Sequence, residues 1–158
     1  MDEKLQIPCK GTRHTRVGRF SEQNRIYHIN TATLDRKPVF ESLETARCVV
    51  RALMCEEQNG GSRTLAFVVM PDHLHWLVQV GDRRSLSESV SIVKSGSARQ
   101  INALAGSLRK IWQRGFYDRA IRKEDDIADI ARYIVANPVR AGLVKTIRYY
   151  SHWDAVWL

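Results

Sequence analysis

Residues 64–80 read TLAFVVMPDHLHWLVQV, from Thr64 to Val80. Two runs rich in β-branched and aromatic side chains are split by Pro71-Asp72, a pair that suits a turn and breaks either a helix or a long strand. The stretch is expected to be a β-hairpin. Strand side chains alternate between faces, so His73 and His75 share one face while Leu74, Trp76, Val78 and Val80 share the other. The apolar set must meet a core. Two imidazoles at i and i+2 are spaced to share a metal ion, and two surface histidines on a half-exposed strand fit the same pattern.

Outward from the hairpin the elements alternate. Upstream, Ile26–Leu34 (IYHINTATL) reads as a strand, broken by Asp35-Arg36-Lys37-Pro38. Ser42 can cap a helix whose apolar positions are Ala46, Val49, Val50, Leu53 and Met54, with Cys48 and Cys55 as small buried side chains; Asn59-Gly60-Gly61 ends it. Downstream, Gly81-Asp82 closes the second strand of the hairpin. Ser85 and Glu88 have capping-box spacing and open a helix through Leu86, Val90, Val93, Ile101 and Leu104, which Gly106 stops. A short strand is expected within Ile111–Ile121. Asp125-Asp126 then lead a helix with Ile127, Ile130, Ala131 and Ile134 on one stripe, limited by Pro138, with a further turn at Gly142. The order β-α-β-β-α-(β)-α predicts an α+β domain, a mainly antiparallel sheet covered by helices.

Tyr133 and Asn137 stand at i and i+4 of the last helix. At about 100° per residue from Ile130, Ile134 falls near 40°, Asn137 near −20° and Tyr133 near −60°. The pair therefore flanks the apolar stripe, where side chains can reach the sheet surface without being entombed. An amide oxygen suits a divalent cation, and a phenol becomes a nucleophile once its proton is removed. A rim tyrosine and a turn asparagine have the same spacing, and spacing does not choose Tyr133 over Tyr117 or Tyr27.

At 158 residues the chain suits one domain with one core. The longest apolar run, Leu65–Met70, is far short of a membrane span. The opening MDEKLQIPCKG has no apolar h-region, so no secretory signal is expected. Cys9, Cys48 and Cys55 are odd in number and lack CxxC spacing, which suits a reduced cytoplasm and argues against a Cys-based zinc site. Lys and Arg number 25 against 17 Asp and Glu, for a net charge of +8. The excess sits in two places: an arm at 1–24 ahead of a domain at 25–158, and residues 94–123, which hold eight Lys and Arg against Asp118 alone. Trp112, Phe116 and Tyr117 interleave the second cluster, as a groove for phosphates and unstacked bases requires. A solvated basic face is the plainer alternative. Arg114, Arg119 and Arg122 surround the aromatic strand; Lys94 and Arg99 lie five apart on their helix and diverge in azimuth.

Taken together, MPDHLHWLV, VKSGSARQIN, WQRGFYDRAIR and ARYIVANPVRAGLV, in that order, resemble the single-tyrosine HUH transposases. The Gly18-Arg19-Phe20-Ser21 arm and the closing SHWDAVWL bring the chain nearest to the branch of REP-associated tyrosine transposases. The resemblance runs from about residue 11 to the C-terminus. It implies a four- or five-stranded antiparallel sheet flanked by helices, the ferredoxin-like HUH endonuclease type. His73 and His75 match the motif histidines, Tyr133 the nucleophile, and Asn137 a polar residue that can be a third metal ligand. That position is often Gln in related enzymes. The implied cofactor is Mg²⁺ or Mn²⁺. The implied partner is single-stranded DNA folded into REP-type hairpins, cut and rejoined through a 5′-phosphotyrosine link. Arg13, Arg16 and Arg19 are candidates for reading a short tetranucleotide at the hairpin foot, and Lys94, Arg99, Arg114, Arg119 and Arg122 for following the backbone. No membrane or small-molecule substrate is expected. The expected setting is a bacterial cytoplasm, nucleoid-associated, as monomer or homodimer. A non-catalytic hairpin-binding regulator on the same fold is the rival; a hydrolase of small phosphoesters would not need the basic segments.

Overall fold

Pro71 and Asp72 turn the chain so that Met70 lies opposite His73, and Ser62–Met70 (β2) pairs antiparallel with His73–Val80 (β3). The expected hairpin is the centre of the sheet. In this computed structural model, which describes residues 22–123 and 125–156, the other elements are Ile26–Ala32 (β1), Leu43–Gln58 (α1), Leu86–Ala105 (α2), Tyr117–Ala120 (β4), Ile127–Val135 (α3), Asn137–Arg140 (α4) and Trp153–Ala155 (β5). The sheet order is β4-β1-β3-β2-β5, antiparallel throughout. β1 to β4 with α1 and α2 form the ferredoxin-like βαββαβ arrangement, and β5 extends it on the outer edge of β2. This is the expected α+β class. Only residues 22–24 of the arm are among those described.

The long apolar run of β2 follows from burial on both faces. On one face Ile29, Phe67, Val69, Leu74, Trp76, Val78 and Val80 pack with Val49 and Leu53 of α1 and Val90 and Val93 of α2. On the other, Val68, Met70 and Leu77 pack with Ala131, Ile134 and Val135 of α3 and Ala155 of β5. The predicted helix starts hold. Ser42 accepts from the Thr45 N–H, and Ser85 and Glu88 close a reciprocal capping box. Asp126 accepts from the Ala128 and Asp129 N–H groups.

Several expectations change. β1 ends at Ala32, because Thr33 leaves the ladder to bridge Trp112 and bond the Asp72 carbonyl. Met54 is 53% exposed and Leu104 58% exposed, so neither belongs to the buried stripe. Glu56, in line with Val49 and Leu53 on α1, is wholly buried. Cys48 is buried as expected, but Cys55 is exposed. The strand within 111–121 is the short β4, while Trp112 is buried against Phe40. Two elements come in addition, α4 and β5.

β5 is a short edge strand whose approach to β2 is held by a backbone and a side-chain hydrogen bond. The Val69 N–H donates to the His152 carbonyl at 2.8 Å, and the Tyr150 hydroxyl donates to the Val69 carbonyl at 2.6 Å. Burial pushes the Tyr150 phenol up to about 12. In an unfolded chain a tyrosine ionises near ~10. Between those two values the unfolded state loses the proton first, so stability falls as pH rises through that window. Tyr150→Phe is expected to flatten this alkaline limb, measured as the melting temperature against pH; an unchanged limb would contradict the assignment.

Among the described residues no helix is long and apolar enough to cross a membrane.

Candidate active site

His73, His75 and Leu77 project from β3 toward the α3 side of the sheet, opposite the set that meets α1 and α2. β1 runs beside them with Asn30 opposite His75 and His28 opposite Leu77. His28 is thus a diagonal neighbour of His75 on the same face. Its Nε2 lies 3.1 Å from His75 Nδ1, with the rings stacked at 5.2 Å. His75 Nε2 lies 3.1 Å from His73 Nε2, and His73 Nδ1 lies 2.6 Å from Asp72 Oδ1. Asp72 is held in turn by Arg36 at 3.0 Å. Arg36 reaches it from a left-handed backbone, φ 55°, a conformation a non-glycine residue adopts only where contacts hold it.

The three imidazoles are kept neutral. Burial pushes His75 down to about 2, aided by the neighbouring His73 and His28 and by the charges of Arg36 and Arg140. Burial and Arg119 push His28 down to about 4. Burial also lowers His73, against the opposing pull of Asp72. Neutral imidazoles are what metal ligation requires. One tautomer set, assigned from the bonding network, satisfies every contact: His28 Nε2–H to His75, His75 Nε2–H to His73, His73 Nδ1–H to Asp72. The opposite tautomer at His75, with Nδ1–H donated to His28 Nε2, frees His75 Nε2 as a ligand beside that of His73. Two nitrogen ligands at about 2.1 Å from one ion, at right angles to each other, stand about 3 Å apart. The observed 3.1 Å fits that geometry. Asp72 and His28 then orient the two ligand rings from behind. Among the described residues no group of three or more His, Cys, Asp or Glu is placed to hold an ion; amide, phosphate or water oxygens can complete the coordination.

α3 buries Ala131, Ile134 and Val135 and leaves Tyr133 on its flank, 52% exposed, as the helical wheel predicts. The wheel fails at Asn137. α3 ends at Val135, and Asn137 opens α4. Pro138 has no N–H to give the Ile134 carbonyl, and the Asn137 side-chain amide supplies the missing donor at 2.8 Å, with a second bond to the Tyr133 carbonyl at 3.2 Å. The turn role of Asn137 is therefore real, and its Oδ1 is the atom left for ligation. Arg140 closes the group. Its Cζ stands 4.1 Å from the Tyr133 ring centroid, and its charge is felt at His75. Of the other tyrosines, Tyr27 is buried among the α1 and α2 side chains, away from the histidines. Tyr117 pairs across from Asn30 and is 57% exposed, on the histidine side of the sheet.

The sequence profile of the family described as Transposase IS200 like matches residues 21–137, from just before β1 to the first residue of α4. The chain belongs to this family. It is 37% identical over 90 residues to the REP-associated tyrosine transposase of Escherichia coli, covering 56% of this chain and 49% of that one. A Haemophilus influenzae protein provisionally given the same name is 30% identical over 99 residues, 56% of each chain. The chain thus spans about half the length of the curated relatives it matches. A solved structure of a REP-associated tyrosine transposase bound to a REP hairpin superposes with a TM-score of 0.69 at 22% identity, over 85% of this chain and 79% of that one. The fold of this chain is therefore shared with that solved structure, and the resemblance read from the sequence is borne out.

The basic residues scatter more than their clustering in sequence implies. Lys94 donates to the Gln113 and Gly115 carbonyls at 2.8 and 2.7 Å and lies over Trp112, so its position serves the loop before β4. Arg99, Arg114 and Arg122 are exposed. Arg119 projects on the histidine face, where its charge reaches His28, and is paired to Asp125 at 3.3 Å. Arg13, Arg16 and Arg19 lie outside the described residues. Of the three interleaved aromatics only Tyr117 is well exposed; Trp112 is core, and Phe116 packs against it. Sequence reasoning missed His28, Asp72, Arg36 and Arg140. Alternation puts His28 on the face opposite Tyr27 and Ile29, but only the register reveals that this face also carries His75.

Proposed function

We propose that this protein is a metal-dependent, single-strand-specific DNA endonuclease and strand transferase that works beside REP-type hairpins. The observation that carries the reading is the convergence of His73 Nε2 and His75 Nε2 at 3.1 Å, each ring buttressed from behind. The hairpin bound by the solved relative and the names of the curated relatives support DNA hairpins as the partner. The proposed cofactor is Mg²⁺ or Mn²⁺, held by His73, His75 and the Asn137 amide oxygen. When bound, the ion polarises the scissile phosphate.

Tyr133 supplies the nucleophile. Its oxygen forms a bond to phosphorus as the bond to the 3′ oxygen breaks, and the electron pair leaves with that oxygen. The phenol proton is lost and the 3′ oxygen gains one, leaving a 5′-phosphotyrosine and a free 3′-hydroxyl. Attack by another 3′-hydroxyl reverses the step, so rejoining needs no nucleotide cofactor. Arg114, Arg119 and Arg122, with Arg13, Arg16 and Arg19 of the arm, are the proposed backbone and base contacts. The setting is the nucleoid of a bacterial cytoplasm.

Incubation of the full chain with a labelled REP-type hairpin carrying a single-stranded flank, in Mn²⁺, is expected to yield a protein–DNA adduct that survives denaturation. A chelator should remove the adduct and leave hairpin binding. Hairpin binding with no adduct in either ion would overturn the catalytic reading in favour of a binding-only regulator. His28 gives a separate prediction. His28→Phe removes the acceptor behind His75 and is expected to weaken Mn²⁺ binding about 10–100-fold, read by titration of the ion; unchanged affinity would contradict its orienting role.

A further inference from the structure

Arg140 is set apart by the tyrosine ring it covers. Arg25, Arg36, Arg84, Arg119 and Arg132 each pair with a carboxylate. Like several other arginines, Arg140 makes no ion pair among the described residues; its guanidinium lies over the face of the Tyr133 ring at 4.1 Å. It is placed by α4, whose first turn Pro138 starts and whose entry Asn137 fixes through the Ile134 carbonyl. Arg140 is exposed to solvent, and its charge extends to His75, on the face where the proposed cation would add two more positive charges. Such a concentration of charge favours a bound anion. A phosphodiester is one, and a guanidinium can offer it two parallel N–H donors.

Building on the proposed function, we propose that Arg140 is the clamp of the strand-cleavage reaction: it stacks on Tyr133 to fix the ring and pairs with the scissile phosphate between Tyr133 and His75. The stack restrains an aromatic ring that is otherwise half-exposed on the flank of α3, so that the phenol oxygen faces a defined point. The N–H groups then take up charge on the non-bridging oxygens as the pentacoordinate state forms. Lysine keeps the charge at this position but loses the planar stack and the paired donors, so it should serve only in part.

The test uses the full chain, the flanked hairpin and Mn²⁺, with the adduct-forming rate measured at saturating DNA and hairpin affinity measured separately. Arg140→Ala and Arg140→Gln are expected to lower the rate about 100-fold or more. Arg140→Lys should restore part of it, while hairpin affinity changes by less than about fivefold. Melting temperatures should match the wild type, because the side chain is exposed. A wild-type rate in Arg140→Ala overturns the proposal, as does a loss confined to hairpin affinity, which would mark an ordinary backbone contact. Equal losses in all three variants together with a lowered melting temperature would assign Arg140 to the fold and likewise overturn it. Failure of the wild type itself to form any adduct is a different result, and it removes the catalytic reading on which the clamp rests.

Discussion

Tyr133→Phe is expected to bind the hairpin and to form no covalent adduct with it, a loss of about a thousandfold or more in strand cleavage. The substitution is a clean one here. The Tyr133 hydroxyl makes no hydrogen bond among the described residues, and the side chain is 52% exposed, so deleting the oxygen leaves no unpaired group and no cavity. The phenyl ring keeps its contact with Arg140. Melting temperature and hairpin affinity should therefore match the wild type while the adduct band disappears from a denaturing gel. Histidine variants lack this clarity. His75 is buried between Asn30 on β1 and Val68 on β2, so His75→Ala empties both a ligand position and a packed site. A persisting adduct in Tyr133→Phe would remove Tyr133 as nucleophile.

Arg84→Ala should be the most damaging change far from the site. Glu56, near the end of α1, is completely buried, and Arg84 lies 2.7 Å from its Oε2. The other carboxylate oxygen, Oε1, has no partner. Removing Arg84 leaves a buried charge with nothing to balance it, a loss of about 3–5 kcal/mol measurable by urea denaturation. Gly61 shows how closely this corner is packed: a Cβ there would collide with Glu56 Oε1. The contrast is Arg132→Ala, which breaks an exposed pair with Asp129 and should cost less than about 1 kcal/mol. Equal costs for the two variants would contradict the account of the buried pair.

The parts of this structure that sequence exposes are those set by local rules. The hairpin follows from the turn chemistry of Pro71-Asp72, the start of α2 from Ser85 and Glu88, and the shared face of His73 and His75 from the period of a strand. What it hides depends on partners distant in sequence. Glu56 occupies a position that α1 alone would assign to an apolar residue, and only Arg84 makes its burial tolerable. β5 has three residues and exists because β2 presents a free edge and Tyr150 and His152 hold the chain against it. His28 joins the histidine pair through the β1–β3 register. Arg140 meets Tyr133 after a helix break at Pro138, where a single wheel no longer applies. Lys94 shows the converse error: a charge counted toward a DNA track is aimed at two carbonyls of its own chain.

Tyr133 on α3 and Tyr117 on β4 are both exposed on the histidine side of the sheet, whereas the Tyr150 hydroxyl on that side is bound to the Val69 carbonyl. The decisive measurement is to digest the covalent adduct with trypsin and locate the nucleotide by mass spectrometry. Cleavage after Arg132 and Arg140 isolates the segment YIVANPVR, with Tyr133 as its first residue. The account predicts the nucleotide on Tyr133 of that peptide; a nucleotide on Tyr117, or on any other residue, would contradict it.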